Sequence, residues 1–121
     1  MKILYVEDNA ANARLLAKYL ALQGDVELLE AATGEAGVAL ARAALPDLVL
    51  MDINLPHMSG AEALAALRAD ARTAGIAVIA VSADALPDRI HAALAAGFDD
   101  YLTKPLDLTA LETVIARYRA A

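Results

Sequence analysis

Three short apolar runs of this chain each end in charge. Ile3-Leu4-Tyr5-Val6 runs into Glu7-Asp8, Leu48-Val49-Leu50-Met51 into Asp52, and Tyr101-Leu102-Thr103 into Lys104-Pro105. If the runs are neighbouring parallel strands, their ends share one edge of the sheet. Three carboxylates and one ammonium then meet in a single crevice. Oxygen ligands of this kind suit Mg²⁺, which keeps several waters and takes only one or two direct carboxylates, and the main-chain carbonyl of Asn54 can complete the set. Without a cation or Lys104 to balance them, clustered carboxylates raise one another's pKa. An acidic strand-to-helix turn also serves to cap a helix, so Glu7-Asp8 alone leaves both readings open. Asp52 is harder to explain as a cap. A carboxylate at a strand end can attack phosphorus and form an acyl phosphate, a reaction that needs charge neutralised on the phosphoryl oxygens more than it needs a base. Mg²⁺ and Lys104 would supply that neutralisation, and Ser82, at the end of another apolar run, could donate to a third oxygen.

The elements that must position these residues alternate along the whole chain. Strand-like segments are expected at Lys2–Val6, Val26–Ala31, Leu48–Met51, Ala77–Val81 and around Tyr101-Leu102. Between and after them lie helical patterns. The first runs from about Ala10 to Gln23 with Leu15, Leu16, Tyr19, Leu20 and Leu22 on an apolar stripe and Gly24 as its C-cap. Thr33 is the expected N-cap of a second helix ending near Ala44. A third runs from about Ala61 to Ala69. A fourth starts at Pro87, carries Ile90 and Leu94 and stops at Gly97, and a fifth is capped by Asp107 and carries Leu108, Leu111, Val114, Ile115 and Tyr118. Leu48–Met51 and Ala77–Val81 read as strands covered on both faces, whereas Glu27 and Glu30 place the second strand near a sheet edge. Five β-α units imply an α/β fold, a five-stranded parallel sheet with helices on both faces. Ligands of such sheets bind outside the carboxyl ends of the strands, where the charges sit.

Composition narrows the function classes. At 121 residues the chain is one domain long. Hydrophobic residues make up 60% of it, but much of that is alanine within helical periodicity, and no run approaches the ~18 apolar residues of a spanning helix. Met1–Asn9 turns acidic too soon for a signal peptide. A cytoplasmic setting without membrane contact is therefore expected, and the absence of cysteine removes disulfides and thiolate chemistry. A net charge of −6 and no tryptophan argue against direct nucleic-acid binding. His57 and His91 lack a second ligand at metal spacing, so both read as solvated side chains. Arg68, Arg72, Arg89, Arg117 and Arg119 read as scattered helix-surface charges.

Val6-Glu7-Asp8-Asn9, the stretch from Pro46 to Gly60 (PDLVLMDINLPHMSG), Val81-Ser82-Ala83-Asp84-Ala85 and the stretch from Asp99 to Asp107 (DDYLTKPLD) together make the chain resemble the response-regulator receiver domain of two-component signalling, the CheY-like family. The resemblance covers essentially the whole chain, a single receiver domain over 1–121 with flavodoxin-like, doubly wound strand order 2-1-3-4-5. It implies that Asp52 is the phosphoacceptor and that Glu7, Asp8, Asp52 and the Asn54 carbonyl hold Mg²⁺. Lys104 would pair with the phosphoryl oxygens, and Lys104-Pro105 would be a cis peptide. Ser82 would be the switch hydroxyl and Tyr101 the switch aromatic, while Asn54 and Asp84 would tune hydrolysis of the acyl phosphate. Glu7 stands where many relatives have Asp, and Ser59 stands in a loop expected to tune mobility.

The partners implied are a histidine kinase or histidine phosphotransfer protein as donor, and a downstream protein on the surface of the fourth helix, fifth strand and last helix. The domain would be a signalling switch and not a turnover enzyme, monomeric or dimerising on phosphorylation. It would be either a stand-alone regulator or a receiver of a hybrid histidine kinase. The rival readings are a phosphorylation-independent binding module and a small phosphatase or flavin enzyme. Asn54, where a haloacid-type phosphatase wants Asp, and Glu7-Asp8-Asn9, where a flavin site wants a Ser/Thr/Gly-rich loop, count against the last two.

Overall fold

Ten elements follow one another in unbroken β-α order: β1 (Lys2–Val6), α1 (Ala10–Ala21), β2 (Glu27–Ala31), α2 (Gly34–Ala44), β3 (Leu48–Asp52), α3 (Gly60–Ala69), β4 (Ala77–Ser82), α4 (Pro87–Ala96), β5 (Asp100–Thr103) and α5 (Leu108–Tyr118). They belong to a computed structural model that describes residues 1–119. The strands form one parallel sheet in the order β2-β1-β3-β4-β5, as the resemblance implies. β3 is buried at every position and β4 at all but its first, while β2, at the edge, is exposed at Glu27 and Glu30.

Strand pleating sends alternate side chains to opposite faces, and the core divides accordingly. Leu4, Val6, Val49, Met51, Val78 and Ala80 pack against α2, α3 and α4. Ile3, Tyr5, Leu48, Leu50, Ile79 and Val81 pack against α1 and α5. Register then aligns the strand ends: Val6 lies opposite Met51, Asp52 opposite Val81, and Ser82 opposite Thr103. Glu7, Asp52, Ser82 and Lys104 therefore emerge along one edge.

Local side-chain chemistry starts α1, α2, α3 and α5 at that edge. Asn9 Oδ1 accepts from the N–H groups of Ala11 (2.9 Å) and Asn12 (3.1 Å), capping α1. Thr33 Oγ1 caps α2, and Asp107 Oδ1 caps α5, as their residue types suggest. Ser59, in the loop expected to tune mobility, is also the N-cap of α3, in a reciprocal box with Glu62 that pins the loop's end. Gly60 follows because nothing larger fits: a Cβ there would lie 2.6 Å from Ile53 Cα and 2.8 Å from the Asp52 carbonyl oxygen. The start of α3 is thus pressed onto the backbone that carries Asp52.

Other expectations are corrected. α1 ends at Ala21 with Leu22 as C-cap in right-handed geometry, not at Gly24, because the Leu22 and Gln23 N–H groups close turns onto Tyr19 and Leu20. The N–H of Val26 bonds the Gln23 carbonyl in the same turn, so β2 begins one residue later. Leu15, Leu22, Leu94 and Leu108 are exposed, since the covering layer is narrower than the apolar stripes on these helices. Arg68 is no loose surface charge. Its Nη1 donates to the carbonyls of Ala74 (3.0 Å) and Ile76 (2.6 Å), and its Nη2 to Asp99 Oδ2 (2.8 Å), which also accepts the Val78 N–H. One guanidinium fastens the α3–β4 connection to the start of β5. Arg68→Ala should lower the free energy of urea unfolding by about 2 kcal/mol, the scale of charged hydrogen bonds lost together with their partners' satisfaction.

Candidate functional site

The crevice is built from the ends of β1, β3 and β5. Lys104 Nζ reaches across two strands, 2.9 Å from Asp52 Oδ2 and 2.6 Å from Glu7 Oε1. The Lys104–Pro105 peptide at the base of this reach is cis. Glu7 and Asp52 are almost fully buried, at 4% and 3% exposure, whereas Asp8 faces solvent. Even so, ligand oxygens of Glu7, Asp8 and Asp52 lie within 4.8 Å of one another. Asp52 Oδ1 accepts the Asn54 N–H at 2.9 Å, which ties the carboxylate to the loop that follows.

Charge is unevenly shared in this cluster. Burial opposes ionisation of Glu7, but hydrogen bonds to Asp52, Lys104 and Asn12, with the ammonium's charge, outweigh it and hold the pKa down at about 2. Asp52 goes the other way: burial, then the neighbouring Glu7 carboxylate, raise its pKa despite Lys104 and the Asn54 N–H. Burial also works against the charge on Lys104, yet its two carboxylate partners raise its pKa above the ordinary lysine value. Three carboxylates against one ammonium leave a hard, all-oxygen, net-negative site. That donor set matches Mg²⁺, and a bound divalent ion would supply charge neutralisation for phosphoryl oxygens there.

Beside the carboxylates, Ser82 Oγ is buried and accepts from Asn54 Nδ2 (3.3 Å) and from the Asp84 N–H (3.1 Å). Tyr101 donates its hydroxyl to the Asp84 carbonyl at 2.6 Å, tying β5 to the β4–α4 connection. Asp84 Oδ1 accepts the Leu86 N–H (3.0 Å), and Arg89 of α4 approaches Asp84 Oδ2 at 3.6 Å. Every side chain singled out by sequence therefore belongs to one connected patch: Glu7, Asp8, Asp52 and Lys104 as the charged group, Asn54, Ser82, Asp84 and Tyr101 as the adjoining polar group. His57 and His91 are exposed and lie outside it.

Two members were not anticipated. Tyr5, fully buried in β1, donates its hydroxyl to Glu7 Oε1 at 3.1 Å, and Asn12 of α1 donates Nδ2 to the same oxygen at 3.1 Å. Burial and then the Glu7 charge push the Tyr5 phenol far above its ordinary pKa. A signal for Tyr5 was present: strand alternation puts residues 5 and 7 on one face, and a buried phenol seeks a partner. Asn12, inside an alanine-rich helix start, gave none.

A family profile for the response regulator receiver domain matches residues 3–116. Over 120 residues the chain is 42% identical to hybrid signal transduction histidine kinase G of Dictyostelium discoideum, covering 98% of this chain but only 4% of that kinase. It is 41% identical over 117 residues to protein PilH of Pseudomonas aeruginosa, covering 95% of each chain. Among solved structures, the receiver domain of a sensor histidine kinase from Pseudomonas aeruginosa superposes with a TM-score of 0.87 at 32% identity, over 97% of this chain and 95% of that one, and carries magnesium in its active-site cleft. The receiver domain of Saccharomyces cerevisiae Ssk1, solved with the histidine phosphotransfer protein Ypd1, gives a TM-score of 0.88 at 29% identity over 98% and 88% of the two chains. With a matching profile along nearly its whole length, the CheY-like sheet order and the acidic crevice at the strand ends, the chain belongs to the response regulator receiver family of two-component signalling.

Proposed function

We propose that residues 1–121 form one receiver domain in which Asp52 accepts a phosphoryl group from a phosphohistidine of a histidine kinase or phosphotransfer protein. The observation that carries this reading is the bridge of Lys104 Nζ between Asp52 (2.9 Å) and Glu7 (2.6 Å) beside Asp8. A carboxylate oxygen of Asp52 forms the new P–O bond as the P–N bond breaks, and the electron pair returns to the imidazole nitrogen. Glu7, Asp8, Asp52 and the Asn54 carbonyl would hold Mg²⁺, whose charge, with that of Lys104, would offset the negative phosphoryl oxygens.

Ser82 leaves its Asn54 and Asp84 contacts for a phosphoryl oxygen. Because Tyr101 is anchored to the same Asp84 backbone, that movement releases the ring and changes the α4–β5–α5 surface, which the downstream protein reads, as a monomer or through dimerisation. Asn54 and Asp84 flank the acyl phosphate and set how readily water attacks it. The domain catalyses only its own phosphorylation and dephosphorylation. Among the described residues no helix is long and apolar enough to cross a membrane, in keeping with a cytoplasmic domain, whether free-standing or part of a hybrid kinase.

Intact-mass measurement after incubation with a small acyl phosphate and Mg²⁺ tests the proposal. Wild type should gain one phosphoryl mass and Asp52→Asn none. No gain on wild type, or equal gain on both, leaves a phosphorylation-independent binding module as the better reading.

A further inference from the structure

Glu7 Oε1 accepts three hydrogen bonds, from Lys104 Nζ (2.6 Å), the Tyr5 hydroxyl (3.1 Å) and Asn12 Nδ2 (3.1 Å), whereas Oε2 receives the long approach of the Asn9 N–H at 3.5 Å. Lys104 is the one charged donor and the one that also serves Asp52. On the reading above, it must turn toward the phosphoryl oxygens. That movement strips its ammonium from a carboxylate with 4% exposure, a costly change if nothing else holds the charge. Tyr5 and Asn12 do not need to move. One stands on the rigid central strand β1 and the other in the first turn of α1, so their two donors converge on Oε1 from independent supports.

We infer that Tyr5 and Asn12 are positioning residues for the metal-side carboxylate Glu7, neutral donors that keep Oε1 fixed and solvated while Lys104 is shared with Asp52 and the incoming phosphoryl group. They leave Oε2 to the metal side of the crevice. Without them Lys104 is the strongest donor left to Glu7, and the ammonium stays on Glu7 in competition with the divalent ion. This rests on Glu7 being part of a magnesium site, as proposed above. Outer partners of metal ligands commonly contribute ten- to a hundredfold in affinity, about the range expected here.

Calorimetric titration of Mg²⁺ into wild type, Tyr5→Phe, Asn12→Ala and the double variant is the test. The Mg²⁺ Kd should rise about tenfold in Tyr5→Phe and further in the double variant. A Kd within about twofold of wild type in the folded double variant overturns the inference. A spectroscopic readout separates positioning from general packing. A divalent ion beside Glu7 would change the charge on the oxygen to which the Tyr5 phenol donates, so Mg²⁺ should give a tyrosine difference spectrum that Tyr19→Phe retains and Tyr5→Phe lacks. A spectrum that persists in Tyr5→Phe is equally fatal. Should Tyr5→Phe fail to fold, Asn12→Ala on half-exposed α1 carries the comparison, and an unchanged Kd there overturns the inference. If wild type binds no Mg²⁺, the functional reading falls and this inference with it; if wild type and variants bind alike, only this inference falls.

Discussion

Lys104→Met should lower the unfolding free energy at neutral pH by about 3 kcal/mol, because it leaves two buried carboxylates without their shared cation. The pH dependence should invert as well. In wild type, Glu7 titrates at about 2 in the folded state, below its unfolded value, so its contribution is present above the unfolded pKa and is lost as pH falls toward 2. In the variant Asp52, already raised by burial and by Glu7, loses the ammonium that opposed that rise and should move further up. Its ionised form then destabilises the fold more, and acidification through the range where it takes up its proton should raise stability before global acid unfolding begins. Mg²⁺ should restore more stability to the variant than it adds to wild type, since the ion replaces the missing positive charge. Urea unfolding between neutral and mildly acidic pH, with and without Mg²⁺, checks all three statements. A monotonic fall in stability on acidification, parallel to wild type, would show that the ammonium is not what balances the pair.

Asp52→Asn should act in the opposite sense. Asp52 is the carboxyl whose pKa is raised, so above that range its ionised form weakens the fold. The amide is nearly isosteric. Its oxygen can keep the Asn54 N–H, its NH₂ can donate to Glu7, and Lys104 is then left wholly to Glu7. Metal-free Asp52→Asn should therefore unfold at about 1 kcal/mol higher free energy than wild type at neutral pH, the scale of a typical single substitution but with reversed sign. The gain should fade on acidification, as wild-type Asp52 takes up its proton. It should also reverse at saturating Mg²⁺, because ligand binding to the native state stabilises wild type more. Greater stability with no capacity to hold phosphoryl is the mark of a residue kept for reactivity. Equal or lower stability of metal-free Asp52→Asn would contradict that.

Much of this was legible in the residues themselves. Leu48–Met51 and Ala77–Val81 announce strands buried on both faces, and Glu27 and Glu30 announce an edge. Thr33, Pro87, Gly97 and Asp107 mark helix ends through chemistry that acts within one turn. What escaped depends on contacts made at a distance. Leu15 and Leu108 lie on apolar stripes, but periodicity gives the direction of a helix face and not the width of the layer that covers it. Arg68 looks like any surface arginine until the chain returns with Asp99. Ser59 was missed for another reason: Glu62, three residues on, completes a local signature that the likeness to a loop obscured. At the site, charge and spacing pointed to Glu7, Asp8, Asp52 and Lys104, and the end of an apolar run pointed to Ser82, while the switch role of Ser82 and the part of Tyr101 needed the family pattern. Tyr5 was hidden because a tyrosine in an apolar strand passes for core.

The sheet does more than carry the crevice on its edge. Tyr5 belongs to the layer shared with α1 and α5 and Tyr101 to the layer shared with α2, α3 and α4, and each extends its hydroxyl to the strand-end edge. The five strands thus work as an insulating wall with two tyrosine lead-throughs. On the function proposed above, a shift of α1 would reach Glu7 through Asn12, and a shift of α4 would reach Ser82 and Tyr101 through Asp84. The α4–β5–α5 surface of that proposal would straddle this wall, α4 on one side and α5 on the other, and the two layers would be joined at the edge where Asp52 stands.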